Sequence, residues 1–393
     1  YTMKNLTFLF ASLLLVSNAF SQTGPGGVGS SVNNVIWLDG SNLTYSTFPN
    51  ISSWPDQSGN NNNFSQATGS LQPYKVNYPS SQAVRFRGDY LVNGGIAALN
   101  TNTISQYFVF EGGQSNHTGV VLDASYTQST QFLRTERSNA NIRSLVLDNS
   151  LGVKVNTTSI STPFQLISSI WDGAGSQTFN SFKNGTSFGS QTSANGNPTG
   201  NYQNTIGAAI NGGKLFQGDI AEVITYSIAL NSAQRTIVDN YLASKYGISI
   251  SNDKYVYDSG HPYQVFGIGQ ESDGGNLTAQ GKGIVEFSSG SLSNGVYVLA
   301  GHENTSISST TNDVPATLIG GSRLSRTWRA DVTGSPGTIT VVYDVSSLTL
   351  PAGAYYLLVE NNNGIFNDGG VTEYGPFADV GGLVTFSGVT LAA

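Results

Sequence analysis

Two loops carry the oxygen ligands that a hard cation needs. In DQSGNNNN, Asp56, Ser58 and Asn60 stand at alternate positions, and Asp219 could approach them from a later strand. In ENNNGIFNDGG, the corresponding set is Glu360, Asn361, Asn363, Asn367 and Asp368. Calcium is bound by about six to eight carboxylate, amide and carbonyl oxygens on a turning loop. The second loop follows a D-x-D-G-D pattern with Asn in place of Asp, which removes charge and lowers the expected affinity. Calcium is the one cofactor these residues suggest. The same residue types also build turns, because Asn, Asp and Gly satisfy backbone groups and tolerate positive φ.

Other chemistries find less material. A retaining glycosidase needs two carboxyl groups about 5 Å apart, and the nearest approach is Asp219 and Glu222 in FQGDIAEVITY. Strict alternation along a strand sends these two to opposite faces, so no joint action is expected of them. Glu111, Glu136 and Glu286 lack a second carboxylate at the required spacing. There is no G-x-S-x-G elbow, and Ser115 near His117 lies in a polar turn. His261 and His302, the other two histidines, also read as loop residues. The absence of cysteine excludes thiolate chemistry. Gly24, Gly26 and Gly29 match G-x-G-x-x-G formally, but a strand follows them instead of a helix, so they are expected to form a flexible start to the mature chain. No catalytic residue is assigned.

Sugar binding would use aromatic faces with polar neighbours at loop tips. Trp54 and Tyr74 are the candidate platforms. Trp37 and Trp171 lie inside strand patterns and are assigned to the core. Trp328 is read as a packed or stacked strand edge, and Arg323, Arg326 and Arg329 as a solvated or salt-bridged surface.

The elements that position these residues are mostly strands. The chain is rich in Gly, Asn, Ser and Thr, with only 10% charged residues and a net charge of -7. This composition suits short strands joined by polar turns and disfavours a nucleic-acid partner. Strand patterns recur from VIWLDG to FQGDIAEVITY, and Asn184-Gly185 between Phe182 and Phe188 is a strong hairpin signal. A single helix follows. Asn231 is its N-cap, Gln234 closes a capping box, Ile237, Val238, Tyr241 and Leu242 form its apolar stripe, and Gly247 stops it. Such a helix is expected against the closed end or edge of a sheet. Further strands, from QVFGIGQESDGG to LVTFSG, describe a second sandwich.

The N-terminus reads as a secretory signal. Met3 and Lys4 precede the apolar run Leu6 to Val16, and Ala19-Phe20-Ser21 supplies small residues before a cleavage site ahead of Gln22. Tyr1 and Thr2 then lie upstream of the initiator, and no membrane span is expected after signal removal. The expected division is a signal peptide at 1–21, a flexible segment at 22–34, a first sandwich at 35–250, a linker at 251–262 and a second sandwich at 263–393.

VIWLDGSN, ISSWPDQSGNNNNF, AVRFRGDYL, SFKNGTSF and the strand-helix stretch from Phe216 to Ile250 occur in an order that resembles the concanavalin A-like, laminin G-like jelly-roll domains of secreted Bacteroidetes surface proteins. GIGQESDGG, the Arg326-x-Trp328 pair and LLVENNNGIFNDGG resemble an uncharacterised β domain that often follows it in flavobacterial exported proteins. Such proteins commonly continue into a C-terminal sorting module, which is not visible before the chain stops at TLAA, so the second sandwich reads as truncated. The resemblance implies an all-β fold of two β-sandwiches, the first a jelly roll closed by one C-terminal α-helix. It also implies a secreted or cell-surface location. The role it implies is non-catalytic carbohydrate or protein binding, adhesin- or lectin-like, with an extracellular glycan or glycoprotein as partner. Two other roles fit the same residues: an accessory region of a larger polysaccharide-degrading enzyme, and a structural spacer on the cell surface.

Overall fold

The computed structural model describes residues 24–43, 50–79, 81–112, 118–127, 130–147, 153–160, 164–193, 203–282, 284–304, 306–349 and 353–392. The proposed signal segment and the Ser115–His117 turn lie outside them. Among the described residues the fold is all β apart from one α-helix and a few short 3-10 turns. No helix among them is long and apolar enough to cross a membrane.

The first sandwich consists of two eight-stranded antiparallel sheets. In the first sheet, Gln217–Tyr226 is central. Thr103–Glu111 pairs along one side of it, while Gln82–Arg87 and Asn34–Asp39 share the other side end to end. The second sheet runs from Val153–Ser159 through Thr118–Thr127 and Gln203–Ile206 to Ser53–Trp54. Between the sheets lies a core that includes Phe86, Phe108, Ile220 and Val223. The Asn184-Gly185 hairpin forms as the sequence predicts: both residues have positive φ, 47° and 78°, and Lys183 pairs with Thr186 across them.

The helix Ser232–Tyr246 has the expected capping box at Asn231 and Gln234, and Gly247 ends it in the left-handed conformation. It does not sit at an end or edge of the sheet. It lies across the outer face of the first sheet, and the second sandwich covers its other side. Trp37, Ile170 and Ile224 from the sheet, Ile237, Val238 and Tyr241 from the helix, and Val265, Tyr297 and Leu299 from the second sandwich share one apolar layer. Only Ser232, Gln234, Arg235 and Lys245 of the helix escape full burial.

The segment expected to be flexible and the one expected to be a linker are both built into this layer. Gly24 to Val28 are buried, and a Cβ on Gly27 would come within 2.8 Å of the Ala279 Cβ. Gly26 lies against Ile237, and the Gly27 carbonyl accepts a hydrogen bond from the Asn276 amide at 3.2 Å. Glycine is required here because backbone must pass between the helix and the second sandwich. Residues 251–262 are also tied down. The Lys254 backbone N–H donates to Asn240 Oδ1 at 2.7 Å, the Asn252 amide donates to Asp239 at 2.9 Å, and Tyr255 is 2% exposed.

The second sandwich has two four-stranded sheets. One is Gly274–Asn276, Tyr263–Glu271, Val296–His302 and Trp328–Thr333; the other is Thr278–Gln280, Val285–Ser288, Thr338–Asp344 and Leu383–Thr390. The hairpin Tyr355–Glu360 and Val371–Phe377 stands beside them.

Asn231→Ala removes both the cap to Gln234 and the 3.2 Å bond from the Asn231 amide to the Gly275 carbonyl. It should lower stability by about 1–2 kcal/mol in urea denaturation. An unchanged midpoint would show that the cap does not hold the helix.

Candidate functional site

The proposed calcium ligands are placed individually, and they do not fit the ion. Asp56 Oδ1 accepts from the backbone N–H groups of Trp37 and Ser58 at 2.8 and 3.0 Å. Its Oδ2 accepts from the Ser58 hydroxyl at 2.6 Å and the Asn62 N–H at 3.0 Å. These four donors fill the carboxylate's acceptor sites. Asn60 turns its amide N–H groups inward, to the carbonyls of Ser31 and Asn34. Asp219 shares no partner with this loop. The loop is a turn that pins the strand carrying Trp37.

In the second candidate loop, Glu360 accepts from the backbone N–H groups of Asn362, Asn363 and Gly364. The Asn363 amide donates to Asp368 at 2.8 Å, and this bond, with that from the Gly370 N–H, holds the Asp368 carboxyl below its ordinary value. The Asn367 N–H donates to Asp313, and Asn361 is exposed beside it. This too is a closed turn. Among the described residues no cluster of three or more Asp, Glu or His could hold a metal.

The aromatic platforms also change role. Trp54 is fully buried in the core between the sheets and presents no face to a sugar. Tyr74 is half-buried, with the Arg87 guanidinium 5.4 Å from its ring centroid. Trp171 is core as expected, its indole N–H donating to Ser193 at 3.1 Å. Trp328 meets His302 and Tyr343 edge-on. His302 is itself 2% exposed instead of a loop residue, and its Nδ1 accepts from the Asn304 N–H.

Asp219 and Glu222 do share a face, contrary to strict alternation. The partners run from Ile220–Phe110 directly to Glu222–Val109, so Ala221 is an extra residue, a β-bulge. Ile220 and Val223 therefore point into the core, and both carboxylates point to the helix side. Each is engaged there. Asp219 is held by the Arg85 guanidinium at 2.6 and 2.7 Å and by the Tyr78 hydroxyl. Glu222 accepts from the Trp37 indole N–H at 2.7 Å, the Tyr241 hydroxyl at 2.9 Å, the Tyr246 hydroxyl at 2.8 Å and the Lys245 ammonium at 2.7 Å. Lys245 also pairs with Asp39 at 2.7 Å. Burial alone would lower the Lys245 ammonium, but Asp39 and Glu222 outweigh it and hold the group well above its ordinary value. Burial raises Asp39, but the Lys245 charge and bonds from Lys245 and Ser41 bring it below its ordinary 3.8. Burial pushes the Glu222 carboxyl up, with Lys245 opposing.

A second set of charges, itself buried, lies on the other side of the sandwich, toward the outer face of the second sheet. There Asp123 pairs in register with Arg134 and with Thr205, and Thr205 with Val92. Arg134 joins Asp123 at 2.7 Å and approaches Glu136 at 3.7 Å. Glu136 also takes Arg143 at 2.8 Å and Lys214 at 3.2 Å. Beside this chain of charges opens a pocket of about 280 Å³ lined by Ser65, Gln66, Tyr90, Val92, Gln203 and Thr205. Thr205 is 1% exposed, and its hydroxyl is buried without a hydrogen-bond partner. None of these pocket residues stands out in the sequence. They come from three short strands, 64–65, 91–93 and 203–206, and from Gln66 and Tyr90 at the ends of two of them, and only pairing between distant segments brings them together.

A family model described as a domain of unknown function, DUF8202, matches residues 282–393, within the second sandwich. No curated protein matches the chain in sequence. Among solved structures, it is similar to the ligand-binding domain of botulinum neurotoxin serotype D in complex with N-acetylneuraminic acid, at 13% identity and TM-score 0.40, covering 91% of each chain. It is also similar to domain 4 of AbnA, an extracellular arabinanase from Geobacillus stearothermophilus, in complex with arabinotriose. That match has 16% identity and TM-score 0.35, covering 52% of this chain and 97% of that one. A heptameric SAP-like pentraxin from Limulus polyphemus matches at 13% identity and TM-score 0.29, over 42% of this chain and 76% of that one.

Glu222→Ala would leave a buried ammonium, an indole N–H and two hydroxyls short of their acceptor, and should cost about 3–5 kcal/mol in equilibrium unfolding. Glu222→Gln, which keeps one acceptor oxygen, should cost about 1–3 kcal/mol. Because the folded state holds the Asp39 carboxyl below 3.8, its contribution is present above that pH and lost as pH falls through the folded value. The acid limb of stability should therefore be shallower in Asp39→Asn. Equal costs for both Glu222 variants, or an unchanged acid limb, would contradict this reading.

Proposed function

We propose that this chain is an exported, non-catalytic surface protein that binds a glycan, free or on a glycoprotein, through the outer face of the second sheet of its first sandwich. The observation that carries the reading is the pocket beside Thr205. Its walls are amide and hydroxyl side chains with one aromatic ring, Tyr90, and two apolar side chains, Ala67 and Val92. A sugar offers both hydroxyls for the former and C–H faces for the latter. Ser65, Gln66 and Gln203 offer the polar groups for such hydroxyls, and Thr205 lies buried beneath them. The neighbouring carboxylates, Asp123 and Glu136, are neutralised by Arg134, Arg143 and Lys214, which suits holding a ligand over acid–base cleavage of it. Export is the expectation from Met3 to Ser21.

A glycan array probed with residues 22–393 tests this. The wild-type protein should be retained by a subset of glycans. Gln203→Ala and Tyr90→Ala should each weaken retention about tenfold, the value of one hydrogen bond or one ring contact to a ligand, without changing Tm. Because internal donors fill Asp56, replacing calcium with a chelator should change neither retention nor Tm. No retention by the wild-type protein, or equal retention by the variants, would sink the proposal.

A further inference from the structure

The pocket on the second sheet of the first sandwich is polar but uncharged. The described residues that line it include no Asp, Glu, Lys, Arg or His. The cations beside it already hold carboxylates: Arg134 is 2.7 Å from Asp123, and Arg143 and Lys214 are 2.8 and 3.2 Å from Glu136. The residue before Tyr90 in the chain is Asp89, itself an acid.

Two of the lining side chains are fixed in place. Gln66 Oε1 accepts from the Thr68 backbone N–H at 3.0 Å, and its Nε2 donates to the Tyr90 carbonyl at 3.3 Å. These partners set which way the amide points, and they leave one N–H and one oxygen lone pair for a ligand. The Tyr90 backbone is held on its other side too, its N–H donating to the Leu71 carbonyl at 3.2 Å. Gly212, at φ 73°, brings the turn at 210–212 against the ring, where a Cβ would lie 3.4 Å from Tyr90 Cε1. Ring and amide thus stand ready before a ligand arrives, which lowers the entropy cost of binding.

Amides and hydroxyls both donate and accept hydrogen bonds, and so does a sugar hydroxyl. A carboxylate or sulfate only accepts. Entering this pocket, it would meet amide oxygens as well as N–H groups, and it would give up water without gaining a cation, which is costly for a charge. We propose that the pocket takes one uncharged sugar residue and discriminates against sialic acid, uronic acids and sulfated sugars. This rests on the glycan reading above and narrows it. The volume of about 280 Å³ sets the number of rings. It falls just short of the roughly 300–1,000 Å³ of sites that enclose a drug-sized ligand, so it suits one ring and not a run of them.

The test uses residues 22–393 and immobilised glycans in matched pairs. Terminal glucose stands beside glucuronic acid, galactose beside galacturonic acid, mannose beside mannuronic acid, and lactose beside sialyl-lactose. In each pair that is retained, the neutral member should bind at least about tenfold more strongly. Lengthening a retained neutral chain should not strengthen retention. Gln203→Lys, at a half-buried position, puts a cation in the pocket and should move the preference about tenfold toward the acidic member. If that variant fails to fold, Ser65→Lys, at an exposed position, makes the same test. Acidic members retained as well as neutral ones, a preference that a folded lysine variant does not move, or retention that climbs with chain length would overturn this inference and leave glycan binding standing. Retention of no member of any pair would overturn the glycan reading itself, and this inference with it.

Discussion

A carboxylate with no water around it must find its hydrogen bonds inside the protein, and Glu222 finds four. They come from the strand 34–39 through Trp37 and from the helix through Tyr241, Lys245 and Tyr246. A buried ion pair of this kind adds little net stability over apolar groups of the same volume, since desolvation offsets most of the attraction. What it fixes is position. Glu222 is satisfied only when the helix lies at one rotation and one height on the sheet, with Lys245 between Glu222 and Asp39. The bulge at Ala221 makes this possible by turning Glu222 outward to meet the helix.

The second sandwich depends on that placement. The helix offers Val238, Leu242 and their neighbours to the first sheet and to Val265, Tyr297 and Leu299. The chain then uses glycine to close the remaining gap, running Gly26 and Gly27 between the helix and Ala279. Three segments distant in sequence, at 24–28, 232–246 and 251–262, so form one layer between the sandwiches. The fold is two sandwiches by topology but one packed body by contact.

Much of the architecture was legible in residue patterns. Alternation located the strands, Asn184-Gly185 the hairpin, and Asn231, Gln234 and Gly247 the helix ends, because each is a local preference with a local cause. What failed was whatever depends on distant contacts. The glycine-rich start looks flexible until Ala279 is placed against it. Asp219 and Glu222 look opposed until the bulge is seen, because one inserted residue reverses the alternation. Asp56 and Glu360 have the composition of ligands, but their lone pairs go to nearby N–H groups, which composition cannot reveal. Trp54 reads as a loop residue and is core because Phe64 pairs with it across the sheet. The pocket residues Tyr90, Gln203 and Thr205 left no mark at all, since their meeting is a matter of strand order.

The glycan proposal draws on the same arrangement. The helix covers the outer face of the first sheet, so the face left for a ligand in the first sandwich is that of the second sheet. The claim beneath it is that this layer is closed, and limited proteolysis by a broad-specificity protease with mass mapping of the first cuts tests it most directly. A closed layer predicts that residues 251–262 resist cleavage and that neither sandwich is released intact. Early cutting within 251–262, yielding two stable folded pieces, would contradict it.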